Sequence, residues 1–368
     1  MYFLWGIASI IVAFLFSYYL KNYSLKRKIA LQTPRRRDLH ESPTPRIGGL
    51  AIFGTMLLVF ILLLIFAPQL TDFGFPYAIL GFSIDKRLLG IILASIILVG
   101  VMTIDDIKGL NPFVKLSTQI LCALILVLTG LGITYLNNPF GLAIQLDNFK
   151  IPLSIGANTF HFVVWADLIL IVWVLILTNV TNFIDGLDGL AATLAIIASL
   201  ILGILSLKVG QIATAILSFI FAGALIGFLP FNLPLPNAKI FLGDSGSMFI
   251  GLMLAVITFI TGGKLATVVL VYGLVIIDAL YVIAKRLIRG KNPLTSPDQT
   301  HIHHRFIEAG FSKAQTLIII CAISLLFGLS ALIFAPKVKI FAIIILVILS
   351  LLLFISLDYS NTKRKNND

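Results

Sequence analysis

Residues 88–106 read LLGIILASIILVGVMTIDD, an uncharged apolar run that ends abruptly in two aspartates, Asp105 and Asp106. Wound as a helix, such a run matches the hydrocarbon thickness of a bilayer. Carboxylates at a bilayer edge are costly and are rarely placed there without a task. The arrangement recurs along the chain: Asp185 with Asp188, and Asp244, also sit at the ends of long apolar runs.

Working outward, further spans are read near 2–20, 47–67, 116–136, 161–180, 189–207, 211–229, 247–261, 265–284, 316–335 and 340–357. The chain is 59% hydrophobic and 12% charged, with a mean hydropathy of +1.06. These values exclude a soluble domain and predict an all-α polytopic membrane protein, with one integral domain over 1–368 and about eleven transmembrane helices. Within 137–160, residues 143–147 and 150–153 read as extended segments around a turn at Asp147-Asn148, so a small external β-hairpin is expected there. No fixed-period repeat and no duplicated half is visible.

Most of the 27 Lys and Arg fall in 21–46, 105–115, 231–246, 285–315 and 358–368. By the positive-inside rule this predicts an external N-terminus and a cytoplasmic C-terminus, with the acidic span ends gathered on the cytoplasmic side. The net charge of +11 then faces anionic lipid headgroups. Nucleic acid is not expected as a partner, because no soluble domain is left to bind it. Cys122 and Cys321 lie inside apolar spans and suggest neither disulfide nor zinc.

Five segments on the predicted inner face carry chemistry: HESPTPRIGG (40–49), DDIKG (105–109), NVTNFIDGLDGL (179–190), FLGDSGS (241–247) and SPDQTHIHHR (296–305). Clustered carboxylates suit a hard cation, Mg²⁺ or Mn²⁺, which also neutralises a diphosphate. Asp185 and Asp188 would be neighbours on a helical face, and Asn179 and Asn182 add amides suited to a nucleobase or sugar. Gly243–Ser247 opens an apolar helix whose free N–H groups form a ready anion site. Among the basic residues, Arg35, Arg36 and Arg37 read as topological, whereas Arg46, in its Pro/Gly-shaped segment, can be aimed at phosphate. The histidine cluster with Arg305 suggests phosphate contacts rather than zinc. His161 reads as interfacial. Asp278, inside a span, either pairs with Lys285-Arg286 or supports the metal site.

In this order over nearly the whole chain, these motifs resemble the polyprenyl-phosphate N-acetylhexosamine-1-phosphate transferases. Gly243-Asp244-Ser245-Gly246-Ser247, His303-His304-Arg305 and the eleventh span look like the bacterial branch that moves GlcNAc-1-phosphate from UDP-GlcNAc to undecaprenyl phosphate. The resemblance implies catalytic Asp105, Asp106 and Asp244, all three at the metal, with Asp244 its principal ligand and Asp105 positioning the lipid phosphate. It implies substrate contacts from Asn179, Asn182, Phe183, Asp185, Asp188, Phe241, His301, His303, His304, Arg305 and Arg46. Among these, Asn182 and Asp185 would face the uridine, Phe241 would stack on uracil, Asp188 would hold the nucleotide-sugar side, and His303, His304 and Arg305 would bind the diphosphate. The implied setting is the bacterial cytoplasmic membrane, with the site on its cytoplasmic face and a homodimer compatible with it. The peptidoglycan branch, which takes UDP-MurNAc-pentapeptide, is the alternative within the family. A secondary transporter is the alternative outside it, and it would place charge near the bilayer midplane.

Overall fold

A computed structural model of the protein describes residues 2–32, 43–74, 76–79, 82–138, 140–155, 158–235, 237–262, 264–288, 290 and 301–367. Arg35–Arg37, His40–Ser42 and the 296–300 part of the histidine motif lie outside the described residues. Twelve helices follow in order: α1 (Tyr2–Arg27), α2 (Gly48–Phe66), α3 (Lys86–Lys108), α4 (Pro112–Leu128), α5 (Val164–Ile184), α6 (Leu190–Lys208), α7 (Ile212–Asn232), α8 (Gly243–Ile260), α9 (Leu265–Ile288), α10 (Ile302–Glu308), α11 (Lys313–Ile333) and α12 (Pro336–Asn367). Ten are long and apolar enough to cross a membrane. α4 is shorter, at 17 residues, or about 25 Å at 1.5 Å per residue. With α4 they give the expected eleven, in the expected order.

Local chemistry sets the ends of these helices. Asp85 caps α3 by accepting the Arg87 N–H, and Gly109, at φ +71°, ends it. Asn111 caps α4 by accepting the Phe113 N–H, with Pro112 in the first turn, where no intrahelical N–H bond is lost. α11 opens with a capping box between Ser312 and Gln315. α12 runs well beyond the expected end at 357, because the polar residues that follow find partners on α9 and α10.

α8 is the axis of the bundle: every residue from Ser245 to Ile260 is buried, against α2, α3, α5, α6 and α7. α1 packs on α7 through small residues. Ser9 Oγ donates to the Ile220 carbonyl at 2.7 Å, and a Cβ at Gly223 would strike the backbone of Gly6. Lipid is as apolar as any side chain, so such close contact, rather than hydrophobic burial, holds membrane helices together. The outer faces are correspondingly greasy, with Ile344, Ile348 and Leu352 of α12 exposed.

The expected hairpin exists with different strands. Lys150–Ile155 pairs antiparallel with Asn158–Val163, whereas Ile144–Gln145 pairs back to Tyr135–Leu136. His161 lies in the hairpin opposite Pro152, before α5 begins. Because the helices alternate in direction, the starts of α2, α4, α6 and α8 and the ends of α3, α5, α7 and α9 share one end of the bundle. The described parts of all five motifs fall there.

Candidate active site

Asp105 and Asp106 are successive residues in the last turn of α3 and so diverge by about 100° around it. Asp106 turns inward to the start of α8. Its Oδ1 accepts the Asp244 N–H at 2.8 Å, and its Oδ2 accepts the Ser245 N–H at 3.1 Å. The helix terminus expected to bind an anion therefore already holds one from its own chain. Gly243 permits this approach: its φ is +72°, and a Cβ there would collide with the Asp106 carboxylate.

Asp105 turns instead to α4. Its Oδ1 accepts the Leu110 N–H at 2.7 Å, and its Oδ2 accepts Lys115 Nζ at 2.6 Å. The same ammonium donates to Asp244 Oδ2 at 2.6 Å. From the other side, Arg46 Nη2 donates to Asp244 Oδ1 at 3.2 Å and lies 3.4 Å from Asp106 Oδ1. Arg46 is aimed by backbone pairing. The Phe241 N–H donates to the Pro45 carbonyl at 2.8 Å, while the Gly48 and Gly49 N–H groups donate to Phe241 and Leu242 at 3.0 and 3.1 Å. Two motifs nearly two hundred residues apart (|i−j| 198 for Arg46 and Asp244) thus form one backbone unit.

Carboxylate oxygens of Asp105, Asp106 and Asp244 lie within 4.8 Å of one another. An oxygen-only set this close fits a hard divalent cation. Lys115, which bridges two of the three, shows that the cluster draws positive charge between its members.

The α5–α6 connection brings Asn182, Asp185 and Asp188 beside this cluster. Asn182 Nδ2 donates to Ser247 Oγ at 2.9 Å, tying α5 to α8. Asp185 and Asp188 lie in a turn rather than on a helical face. Burial, and then the negative charges of Asp244 and Asp188, hold the Asp185 carboxyl well above the usual carboxylate range. The turn is anchored by Asn232, which accepts the Gly189 N–H at 3.0 Å and donates to the Ile240 carbonyl at 3.0 Å. Asn179 lies one turn deeper. It donates to Gln119 Oε1 at 2.7 Å and bridges α5 to α4.

α10 supplies the histidines. Phe183 stacks on His301 at 5.5 Å, and the rings of His303 and His304 lie 4.3 Å apart. His303 is buried, and among the described residues neither ring nitrogen has a hydrogen-bond partner. Its Nε2 lies against Gly186, where a Cβ would come within 2.5 Å. Burial, followed by the neighbouring His304 and His301, holds its pKa well below the usual histidine range, so the ring is neutral. His301 and Arg305 also reach α9. Asp278, fully buried on α9, pairs with His301 Nδ1 at 2.9 Å and accepts Arg305 Nη2 at 3.2 Å. Asp278 therefore has basic partners, but on α10 rather than at Lys285-Arg286.

Sequence reading overlooked Lys115, Gln119 and Asn232. For Lys115 a signal existed, since it is the one charged residue between Lys108 and Asp147 and sits in the first turn after Asn111-Pro112.

Comparison with known proteins shows the family. Residues 88–262 match glycosyl transferase family 4. The chain is 34% identical over 319 residues to the decaprenyl-phosphate N-acetylglucosaminephosphotransferase of Mycobacterium tuberculosis, covering 79% of this chain and 72% of that one. It is 29% identical to the undecaprenyl-phosphate alpha-N-acetylglucosaminyl 1-phosphate transferase of Thermotoga maritima, over 87% and 86% of the two chains. It is 28% identical to the phospho-N-acetylmuramoyl-pentapeptide-transferase of Staphylococcus aureus, over 84% and 90%. With five motifs meeting at one end of a membrane bundle and relatives matched along most of their length, the chain belongs to glycosyl transferase family 4, the polyprenyl-phosphate N-acetylhexosamine-1-phosphate transferases.

Proposed function

We propose that this protein transfers GlcNAc-1-phosphate from UDP-GlcNAc to undecaprenyl phosphate at the cytoplasmic face of a bacterial membrane. The products are undecaprenyl-diphosphate-GlcNAc and UMP, the first membrane-bound step of a cell-envelope glycan. The observation that carries the reading is the cluster of Asp105, Asp106 and Asp244 laced by Lys115 and Arg46. It offers both a seat for a divalent cation and fixed positive charge for phosphates. The N-acetylglucosamine named in two of the relatives supports the donor.

Asp244 and Asp105 are the carboxylates available to hold Mg²⁺, with Asp106 behind them, fastened to the α8 amides. Bound there, the ion would neutralise diphosphate charge. Lys115 and Arg46 lie on either side of Asp244, placed to orient the lipid phosphate and the donor diphosphate toward each other. A lipid-phosphate oxygen attacks the β-phosphorus, forming the new P–O bond as the bond to the bridging oxygen breaks and its electron pair leaves with UMP. The nucleophile is already an oxyanion, so no base is needed to create it. His303, neutral and unpartnered beside the Asp185–Gly189 turn, is placed to meet the donor.

The test is UMP release by purified protein with undecaprenyl phosphate and Mg²⁺, offering UDP-GlcNAc, UDP-GalNAc and UDP-MurNAc-pentapeptide in parallel. UMP from UDP-GlcNAc, strictly dependent on lipid and inverting at phosphorus, is expected. Turnover of the pentapeptide donor alone would move the chain to the peptidoglycan branch, and a trapped phosphoryl group on Asp105 would overturn direct attack.

A further inference from the structure

α10 carries His303 and His304, with His301 at its N-cap, yet it has seven residues and is too short to hold its own shape or register. Tertiary contacts must place it. In front, His301 stacks on Phe183 and His303 touches Gly186, in the turn that bears Asp185. Behind stands the end of α12. Asp358 accepts the Tyr281 hydroxyl at 2.9 Å and Lys285 Nζ at 3.2 Å, and lies 3.7 Å from Arg305 Nε. One turn on, the buried Asn361 donates to the Arg305 carbonyl at 3.2 Å and lies 3.4 Å from Glu308 Oε2. The Arg305 guanidinium is sandwiched between Tyr281 and Phe354, 4.7 and 5.0 Å from their ring centres. Its backbone and its side chain are both gripped from α12, while Asp278 holds it from α9.

We propose that Asp358 and Asn361 are positioning residues for sugar-phosphate transfer: they wedge α10 forward so that His303 stays pressed on Gly186 of the Asp185–Gly189 turn, and so set the affinity for the nucleotide-sugar donor. This rests on the reading of that turn as the donor side. Neither residue approaches the carboxylate cluster, so both act through α10. The last membrane helix thereby becomes part of the catalytic apparatus, although most of its surface faces lipid.

The experiment uses the full chain in lipid nanodiscs, comparing wild type with Asp358→Asn, Asn361→Ala and the conservative Asp358→Glu. Donor and lipid-acceptor KM are measured beside hydrogen exchange of residues 302–308. For Asp358→Asn and Asn361→Ala the donor KM should rise about tenfold, the scale on which remote misplacement acts. The acceptor KM should stay unchanged, exchange in 302–308 should quicken while exchange in 112–128 does not, and Asp358→Glu should retain most of the wild-type behaviour. A fall in kcat alone reports lost folded protein and overturns the proposal, as does unchanged exchange at 302–308. If the wild type turns over no UDP-sugar, the donor reading fails on that result, and the exchange arm still decides whether α12 holds α10.

Discussion

Lys115 is where the ion cluster is most exposed to test. Its ammonium is shared between Asp105 and Asp244, and it competes for the space a divalent cation would occupy. Lys115→Met should destabilise the metal-free protein by about 2 kcal/mol, less than breaking a fully buried pair because the side chain is partly exposed. Mg²⁺ should then stabilise the variant more than the wild type, as read by thermal unfolding in EDTA and in MgCl₂, while UMP release falls about a hundredfold. Equal Mg²⁺ shifts in the two proteins would count against a cation held by these carboxylates. The candidate aspartates were legible in the sequence because a charge at the end of an apolar run has few innocent explanations. Lys115 was legible only as a lone charge, because one cation in a first turn reads as an interfacial anchor until its partners' positions are known. Arg305 and His301 show the converse. Their chemistry suits phosphate, but burial beside Asp278 commits them to a carboxylate within the fold.

At the scale of elements, the site depends on how closely α2 meets α8. A Cβ at Gly49 would strike the Gly246 nitrogen and the Ser245 carbonyl carbon and hydroxyl. Gly49→Ala must therefore part the two helix starts and shift Arg46 relative to Asp244. The expected outcome is about 2 kcal/mol of lost stability, typical of overpacking, with activity falling further than the loss of folded protein explains; thermal unfolding and UMP release on the same preparation separate the two. The spans themselves were legible because a helix in lipid and a helix in a protein core are both apolar, so hydropathy finds each. The hairpin strands were misassigned because the sequence around Asp147-Asn148 offers a turn without showing which flanking segment pairs with which. α10 and the extension of α12 were missed for a related reason. Their polar residues read as loop, and they find partners only across the fold, at Asp278, Tyr281 and Lys285 of α9 and between α10 and α12.

For the whole molecule, the proposed orientation is open to a direct check. Lys239→Cys, exposed at the motif end, should react with an impermeant maleimide only after the cells are opened, whereas Lys150→Cys in the external hairpin should react in intact cells. The reverse pattern would invert the protein. Cys122 and Cys321 should stay silent, since Cys122 is buried and Cys321 lies partly buried within α11. The pairing of α1 with α7 bears on how the molecule is made. Ser9 meets its acceptor 211 residues further along the chain, and at about 5–20 residues per second that partner is synthesised some 10–40 s later. Over that interval the first helix has α2 beside it, but the face that will meet α7, with Ser9 on it, stays unfilled. Its retention during synthesis therefore depends on the insertion machinery or on provisional neighbours, so slowing translation before α7 should expose nascent chains to membrane quality control.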